Sequence, residues 1–291
     1  MENPKVRFSL NLRGALREFT SPVVMGIVNA TPDSFFDGSR TPVPEAAAAR
    51  AAAMLAAGAG MLDVGGYSTR PGAQEVSADE EYARLARVLD LIRKEHPEAI
   101  LSIDTFRADV ARRCVEVWGA DIVNDVSGGR LDPEMIPTVA GLKVPYIAMH
   151  MRGTPASMQQ LTDYSDVVAE VMSALAFMAD ECHQAGIADV IVDPGFGFAK
   201  TAEQNYQLLA GMNQLRALGL PILAGLSRKS MIWRPLGITP AEALPGTTAL
   251  NAVALLQGAD ILRVHDVEAA VQTVAVMELL AQAQFLPENQ R

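Results

Sequence analysis

Cysteine is nearly absent from this chain: Cys114 and Cys182 are the only two among 291 residues. Two are too few for a disulfide framework, and neither has the spacing of a metal ligand. Both are expected to pack as small apolar residues in helices, which suits a reducing compartment and a cytoplasmic protein. No apolar run reaches the roughly 18 residues of a membrane span, so no membrane partner is expected. The opening MENPKVRFSLNLRG has no signal-peptide core. Basic residues are outnumbered, 24 Lys and Arg against 34 Asp and Glu, for a net charge of −10. A nucleic-acid partner is therefore not expected. Any anion site must gather positive charge locally, against the field of the whole molecule. Low-complexity tails and obvious linkers are missing as well.

Hydrophobic residues make up 49% of the chain, enough for a large core. Short apolar runs at 23–28, 61–64, 100–104, 121–124, 144–149, 190–193, 221–224 and 260–264 read as strands. Most lack polar alternation, as strands do when a parallel sheet is buried on both faces. Helical stretches lie between them, at 44–57, 79–94, 108–118, 133–140, 165–185, 202–217, 240–257 and 267–284. Pro44 suits a first turn, and Ser77-Ala-Asp-Glu80 reads as a capping box. Gly58, Gly119, Gly186 and Gly258 stand where helices should stop. Eight strands alternating with eight helices predict an α/β fold, a single-domain (β/α)8 TIM barrel over 21–285. Asn29 and Arg263, at the ends of the first and eighth strands, leave roughly 33 residues per unit, near what a ~250-residue barrel needs. The alternative is a doubly wound open sheet. Residues 1–20 form an N-terminal extension, a candidate hairpin capping the barrel bottom, and 286–291 a C-terminal tail.

The polar residues are placed unevenly. Asn29, Asp63, Asp104, Asn124, His150, Asp193, Ser227 after Gly225, and Arg263 with His265 all fall at or just beyond strand ends. In a barrel these ends share one mouth. Helix capping explains any single Asp or Asn there, but not Arg263, His265 or the lysine of SRKS. Asp104, Asn124 and Asp193 suit a flat heterocycle with an amidine-like N–H edge, since a carboxylate accepts two parallel N–H bonds. Lys229 is placed to reach a ring carbonyl. Arg70, Arg263 and His265 are opposite in sign, and the loops after the seventh and eighth strands are a recurrent phosphate site in such barrels. One side of the mouth is thus expected to hold a polar ring and the other an anion.

The blocks MGIVNATPDSFFDG, GGYSTRPGA, SIDTFRADV, VNDVSGG, MHMRGTPASMQ, DPGFGFAK, GLSRKS and LRVHDV together closely resemble the dihydropteroate synthase family. The resemblance runs in order over most of the chain. It implies condensation of (7,8-dihydropterin-6-yl)methyl diphosphate with 4-aminobenzoate, with release of diphosphate, in folate biosynthesis. It also implies sulfonamides as inhibitors, Mg²⁺ as cofactor and a homodimer built through the outer helices. Carried over by motif, the pterin-binding residues are Asp104, Asn124, Met149, Asp193, Gly225 and Lys229. Diphosphate would fall to Asn29, Thr69, Arg70, Arg263 and His265, with Asn29 also contacting the metal. The aminobenzoate side would comprise Phe35, Thr69, Pro71, Phe198, Lys229 and Ser230. Asp33, Phe35, Arg70 and Lys229 are the implied catalytic set, with Phe35 and Phe36 as lid residues over the site.

No nucleophile–base pair suggests a covalent intermediate. Positioning and electrostatic stabilisation of the leaving diphosphate are the expected means of catalysis. Two departures from the family pattern stand out. Tyr67 replaces the glutamate usual before STRPG, and Ala199 replaces a glycine before Lys200. The alternatives are a pterin-dependent methyltransferase on the same barrel and an inactive pterin-binding paralogue.

Overall fold

The computed structural model describes residues 6–31, 43–67 and 75–284. It begins with an antiparallel hairpin, β1 (Phe8–Leu12) and β2 (Ala15–Phe19). There follow β3 (Val23–Asn29), α1 (Val43–Ala56), β4 (Met61–Gly65), α2 (Ala78–Glu95), β5 (Leu101–Asp104), α3 (Ala108–Trp118), β6 (Ile122–Asp125), α4 (Met135–Leu142) and β7 (Tyr146–Met149). The second half continues with α5 (Val167–Ala185), β8 (Val190–Asp193), α6 (Ala202–Ala210), β9 (Leu223–Ala224), α7 (Ser230–Leu236), α8 (Leu244–Leu256), β10 (Ile261–Val264) and α9 (Val267–Gln284).

Strands β3 to β10 pair in parallel in the order β8-β7-β6-β5-β4-β3-β10-β9. A single parallel bridge, Val192 to Ile222, brings β8 to the β9 segment and closes the cylinder. This is the expected barrel. No helix among the described residues is long and apolar enough to cross a membrane.

The strand period of two assigns the side chains. Val24, Leu62, Leu101, Val123, Ala148, Val192 and Leu262 point outward and pack with the helices in the larger core. Met25, Met61, Ile122, Ile147, Ile191, Leu223 and Ile261 point inward and form a second core with Phe8, Leu10 and Leu12 of the hairpin. The hairpin therefore plugs the end of the barrel where the strands begin. Polar contacts fasten it there: Arg7 pairs with Asp260 at 3.0 Å, Arg13 with Asp121 at 2.7 Å, and the Asn11 N–H donates to Asp189 at 2.8 Å. Two residues further along the inward face come Asp63, Asn124, Met149, Asp193, Gly225 and Arg263, one each from β4, β6, β7, β8, the end of β9, and β10. Asp104, level with Gly65 and Asn124, completes the layer. The same alternation that makes the plugged end apolar makes the opposite end polar.

Some helices depart from expectation. The stretch 202–217 is α6 followed by a 3-10 helix, Met212–Leu218. The break falls at Gly211, where a Cβ would stand 2.8 Å from Val168 Cγ2. The stretch 240–257 opens as a separate 3-10 turn, Pro240–Glu242, before α8. Helix α7 is an addition; it is short and carries Pro235, which reads as a breaker.

Candidate active site

Asp63 is the hub of the inward polar layer. It is fully buried, and its Oδ2 accepts from Arg263 Nε at 2.6 Å and Asn124 Nδ2 at 3.0 Å. The Arg263 guanidinium reaches on to Asp104 Oδ2 at 2.5 Å. Two carboxylates, a guanidinium and an amide from β4, β5, β10 and β6 are thus joined directly. Gly65 leaves the space beside them: a Cβ there would lie 3.5 Å from Asp104 Cβ. Burial pushes the Asp104 carboxyl up to about 7 despite the attraction of Arg263. Burial also works against the Arg263 charge, but Asp63 and Asp104 outweigh it and hold the guanidinium above its ordinary range.

Across the mouth, Asp193 Oδ1 accepts the Gly195 N–H at 2.7 Å. Burial raises its pKa, opposed first by Lys229 and then by the Gly195 N–H and Arg263. Lys229 donates to the Phe196 carbonyl and stands 4.7 Å from the centre of the Phe198 ring. Burial lowers the ammonium to about 8. Gly225 lies between these two groups. A Cβ on it would be 4.0 Å from both Asp193 Oδ2 and Lys229 Nζ, so glycine keeps this part of the floor open. Met149 pairs with Asp193 in register.

His265 follows β10 and packs on Ser227, its Nδ1 3.0 Å from the hydroxyl. Burial, then Arg263 and Arg50, depress the imidazole to about 4, so it is neutral at pH 7. Asn29 ends β3, level with Gly65. Ser230 opens α7. Neither makes a hydrogen bond to the other site residues among the described residues. Asp33, Phe35, Phe36, Thr69, Arg70 and Pro71 lie outside the described residues.

The structure does not segregate acids from cations as the sequence suggested. Arg263 sits among the carboxylates because buried anions need a cationic or hydrogen-bonding partner. Several supporting residues escape sequence reasoning. Lys200 is buried, with its ammonium 3.0 Å from His150 Nδ1 and donating to the carbonyls of Gly195 and Phe198 at 3.0 and 3.1 Å. Burial lowers Lys200 to about 7 and His150 to about 3. Lys200 thereby draws together the turn that carries Phe198. Asp125 organises Gly128 and Gly129 in a similar way, accepting from Ser127, Gly129 and the Tyr146 hydroxyl. The Lys200–His150 contact spans 50 positions and the Tyr146–Asp125 contact 21, so no local motif announces either.

Both departures find a physical context. Ala199 has φ +49°, a left-handed backbone that costs a residue with a Cβ about 1 kcal/mol. Glycine avoids that cost. Tyr67 meets Phe106 edge-on at 5.1 Å, and the Arg107 guanidinium lies 5.2 Å from its ring centre while pairing with buried Glu81 at 2.5 Å. An aromatic and cation–π cluster occupies the place where a carboxylate was expected.

With this geometry in view, the comparisons are direct. A family model described as "Pterin binding enzyme" matches residues 25–265. The dihydropteroate synthase of Synechocystis sp. is 45% identical over 88% of this chain and 89% of its own length. The Xanthomonas albilineans dihydropteroate synthase, solved with 4-aminobenzoic acid, superposes with a TM-score of 0.87 at 40% identity, covering 96% of this chain and 99% of that one. The Yersinia pestis enzyme in a sulfonamide complex gives 0.88 at 38%, covering 94% and 100%. Identity at this level over nearly the whole length, on a barrel whose polar layer is built from the motif residues, places the chain in the dihydropteroate synthase family.

Proposed function

We infer that this protein joins (7,8-dihydropterin-6-yl)methyl diphosphate to 4-aminobenzoate. A C–N bond forms between the pterin methylene and the arylamine, the C–O bond to diphosphate breaks, and the amine gives up a proton to solvent. The observation that carries this reading is the convergence of Asp104, Asn124, Asp193 and Lys229 with Arg263 at one barrel mouth, in a chain 45% identical to a dihydropteroate synthase.

Ionised Asp193 and Asp104 would accept the N–H edge of the pterin, Asn124 would complete it, and Lys229 would donate to the ring carbonyl. Binding at Asp104 would share or displace the Arg263 guanidinium, which is then available to the diphosphate. His265 would add a neutral N–H donor. The electron-rich pterin can delocalise a developing cation, so departure of diphosphate can run ahead of attack by the weakly nucleophilic amine. Charge growing on the leaving group is where fixed donors act most strongly. Phe198 and Ser230 are assigned to the aminobenzoate side, together with Phe35, Thr69 and Pro71 from the sequence. Asp33 and Arg70 keep the catalytic roles the resemblance implies.

Magnesium belongs to the proposal too. Among the described residues no group of three or more His, Cys, Asp or Glu side chains is placed to hold a metal ion. Asn29, on the strand beside β10, offers one amide oxygen. That suits an ion that takes few protein ligands and completes its shell with phosphate oxygens and water. When bound, it would offset charge on the diphosphate. A cytoplasmic homodimer completes the reading. Buried free cysteines support the compartment, and exposed Leu256, Val276, Leu279 and Leu280 on α8 and α9 support the interface.

The test is to mix the two substrates with the protein and Mg²⁺. 7,8-Dihydropteroate and diphosphate should appear in equal amounts, and sulfonamides should compete with 4-aminobenzoate. Binding of the pterin without any release of diphosphate would instead identify an inert binder.

A further inference from the structure

Two loops at the mouth are stitched together at consecutive positions. Ser227 and Arg228 follow β9; His265 and Asp266 follow β10. On the buried side, the Ser227 hydroxyl accepts the His265 backbone N–H at 3.1 Å and lies 3.0 Å from His265 Nδ1. On the outer side, Arg228 holds Asp266 through two hydrogen bonds of 2.8 Å. Arg228 also donates to the carbonyls of Pro240 and Ala241, and its backbone N–H donates to Thr247. Its φ of +54° is unfavourable for a residue with a side chain. A conformation of that kind persists where the surroundings over-determine it. Here it bends the chain between Ser227, which turns to His265, and Lys229, which turns to the Phe196 carbonyl.

Counting hydrogens narrows the role of the hydroxyl. A serine oxygen has two lone pairs and one hydrogen. One lone pair receives the His265 backbone N–H. The second lone pair and the hydrogen both remain for Nδ1; when the hydrogen donates there, the neutral imidazole carries its own hydrogen on Nε2. The charged groups around the ring are Arg263, Arg50, Arg228 and Asp266. The three cations and burial keep the ring neutral, so it has a single hydrogen to place. We propose that Ser227 is the positioning residue of His265, donating to Nδ1 so that the ring keeps its hydrogen on Nε2 as a donor to the leaving diphosphate. This rests on the reading of His265 as a diphosphate anchor, and the experiment separates the two.

The full chain is labelled with ¹⁵N-histidine. It contains four histidines, and the His265 resonances are assigned by their loss in His265→Gln. An unprotonated Nδ1 and a protonated Nε2 are expected; the reverse tautomer overturns the proposal. Inhibition by diphosphate is then measured in variants. Ser227→Ala should weaken it about tenfold, the worth of one good hydrogen bond, while the KM for 4-aminobenzoate stays within about twofold. Ser227→Thr keeps the hydroxyl and should recover most of the loss. Failure of threonine to rescue, or an unchanged diphosphate affinity in Ser227→Ala, sinks the assignment of Ser227. If His265→Gln itself leaves diphosphate affinity unchanged, the anchor reading fails, and the proposal with it. Should the alanine variant fail to fold, the native tautomer and the threonine variant still decide.

Discussion

Asp104 and Lys229, both assigned to the pterin in the proposal, stand on opposite sides of the mouth, and burial acts on them in opposite directions. It raises the carboxyl to about 7 and lowers the ammonium to about 8. In the proposed complex Asp104 accepts the pterin N–H edge best when ionised, so binding should weaken as pH falls through about 7. Lys229, proposed to hold the ring carbonyl, would do so best when charged, so binding should weaken as pH rises through about 8. The expected kcat/KM for the pterin substrate is a narrow bell between those limbs, and Lys229→Gln should remove the alkaline limb alone. A profile flat from about pH 6 to 9 contradicts the pairing. Asp63 is the other residue with leverage. Asp63→Asn leaves Arg263 without one of its two carboxylates, and loss of such a buried partner should cost about 3 kcal/mol in denaturant unfolding. The pairing of Asp63 with Arg263 spans 200 positions and was invisible to sequence reading, which saw both residues at strand ends but not their contact. The same holds for Lys200 with His150 and Glu81 with Arg107. Strand-end Asp and Asn were legible because they interrupt apolar runs. Their partners sit on other strands or helices, where only the closed barrel brings them together.

Among the elements, the parallel strands were the most legible, since burial on both faces leaves unbroken apolar runs bounded by helix stops. Helix α7 was not, because a seven-residue segment with an internal proline gives no helical period. The register of the β1–β2 hairpin against the barrel depends on long-range contacts and was equally hidden. That hairpin offers a clean test of division of labour. Leu10 is 1% exposed and packs against the inward layer of the barrel, at the end away from the polar mouth. Leu10→Ala should lower stability by about 3 kcal/mol. Both KM values should stay within about twofold, since the cavity lies beneath an intact polar layer. A large rise in either KM would mean that the plug shapes the site.

At the scale of the molecule, an acidic protein of net charge −10 gathers a small group of cations at the polar mouth. Arg263, Lys229 and Arg228 all belong to the last two strand–loop units. The motif residues assigned to the site all belong to this one sequence, and assembly and chemistry are expected to be separable. Leu279, 66% exposed on α9, lies on the face proposed for the dimer. Leu279→Glu should yield a monomer in sedimentation velocity with turnover per chain retained. A monomer that is inactive but folded would show that the site needs its partner.

Closure of the barrel is uneven. Neighbouring strands elsewhere share ladders of two to five residue pairs, whereas β8 and the β9 segment meet through one bridge at Val192 and Ile222. A cylinder yields first along its thinnest weld, so the Val192 amide, which donates to the Pro221 carbonyl across it, should exchange deuterium ahead of those in β4 and β5. Asp193 stands on one lip of that weld and Lys229 just past the other. A pterin gripped by both would act as a rivet, and its arrival should slow exchange there more than anywhere else in the staves.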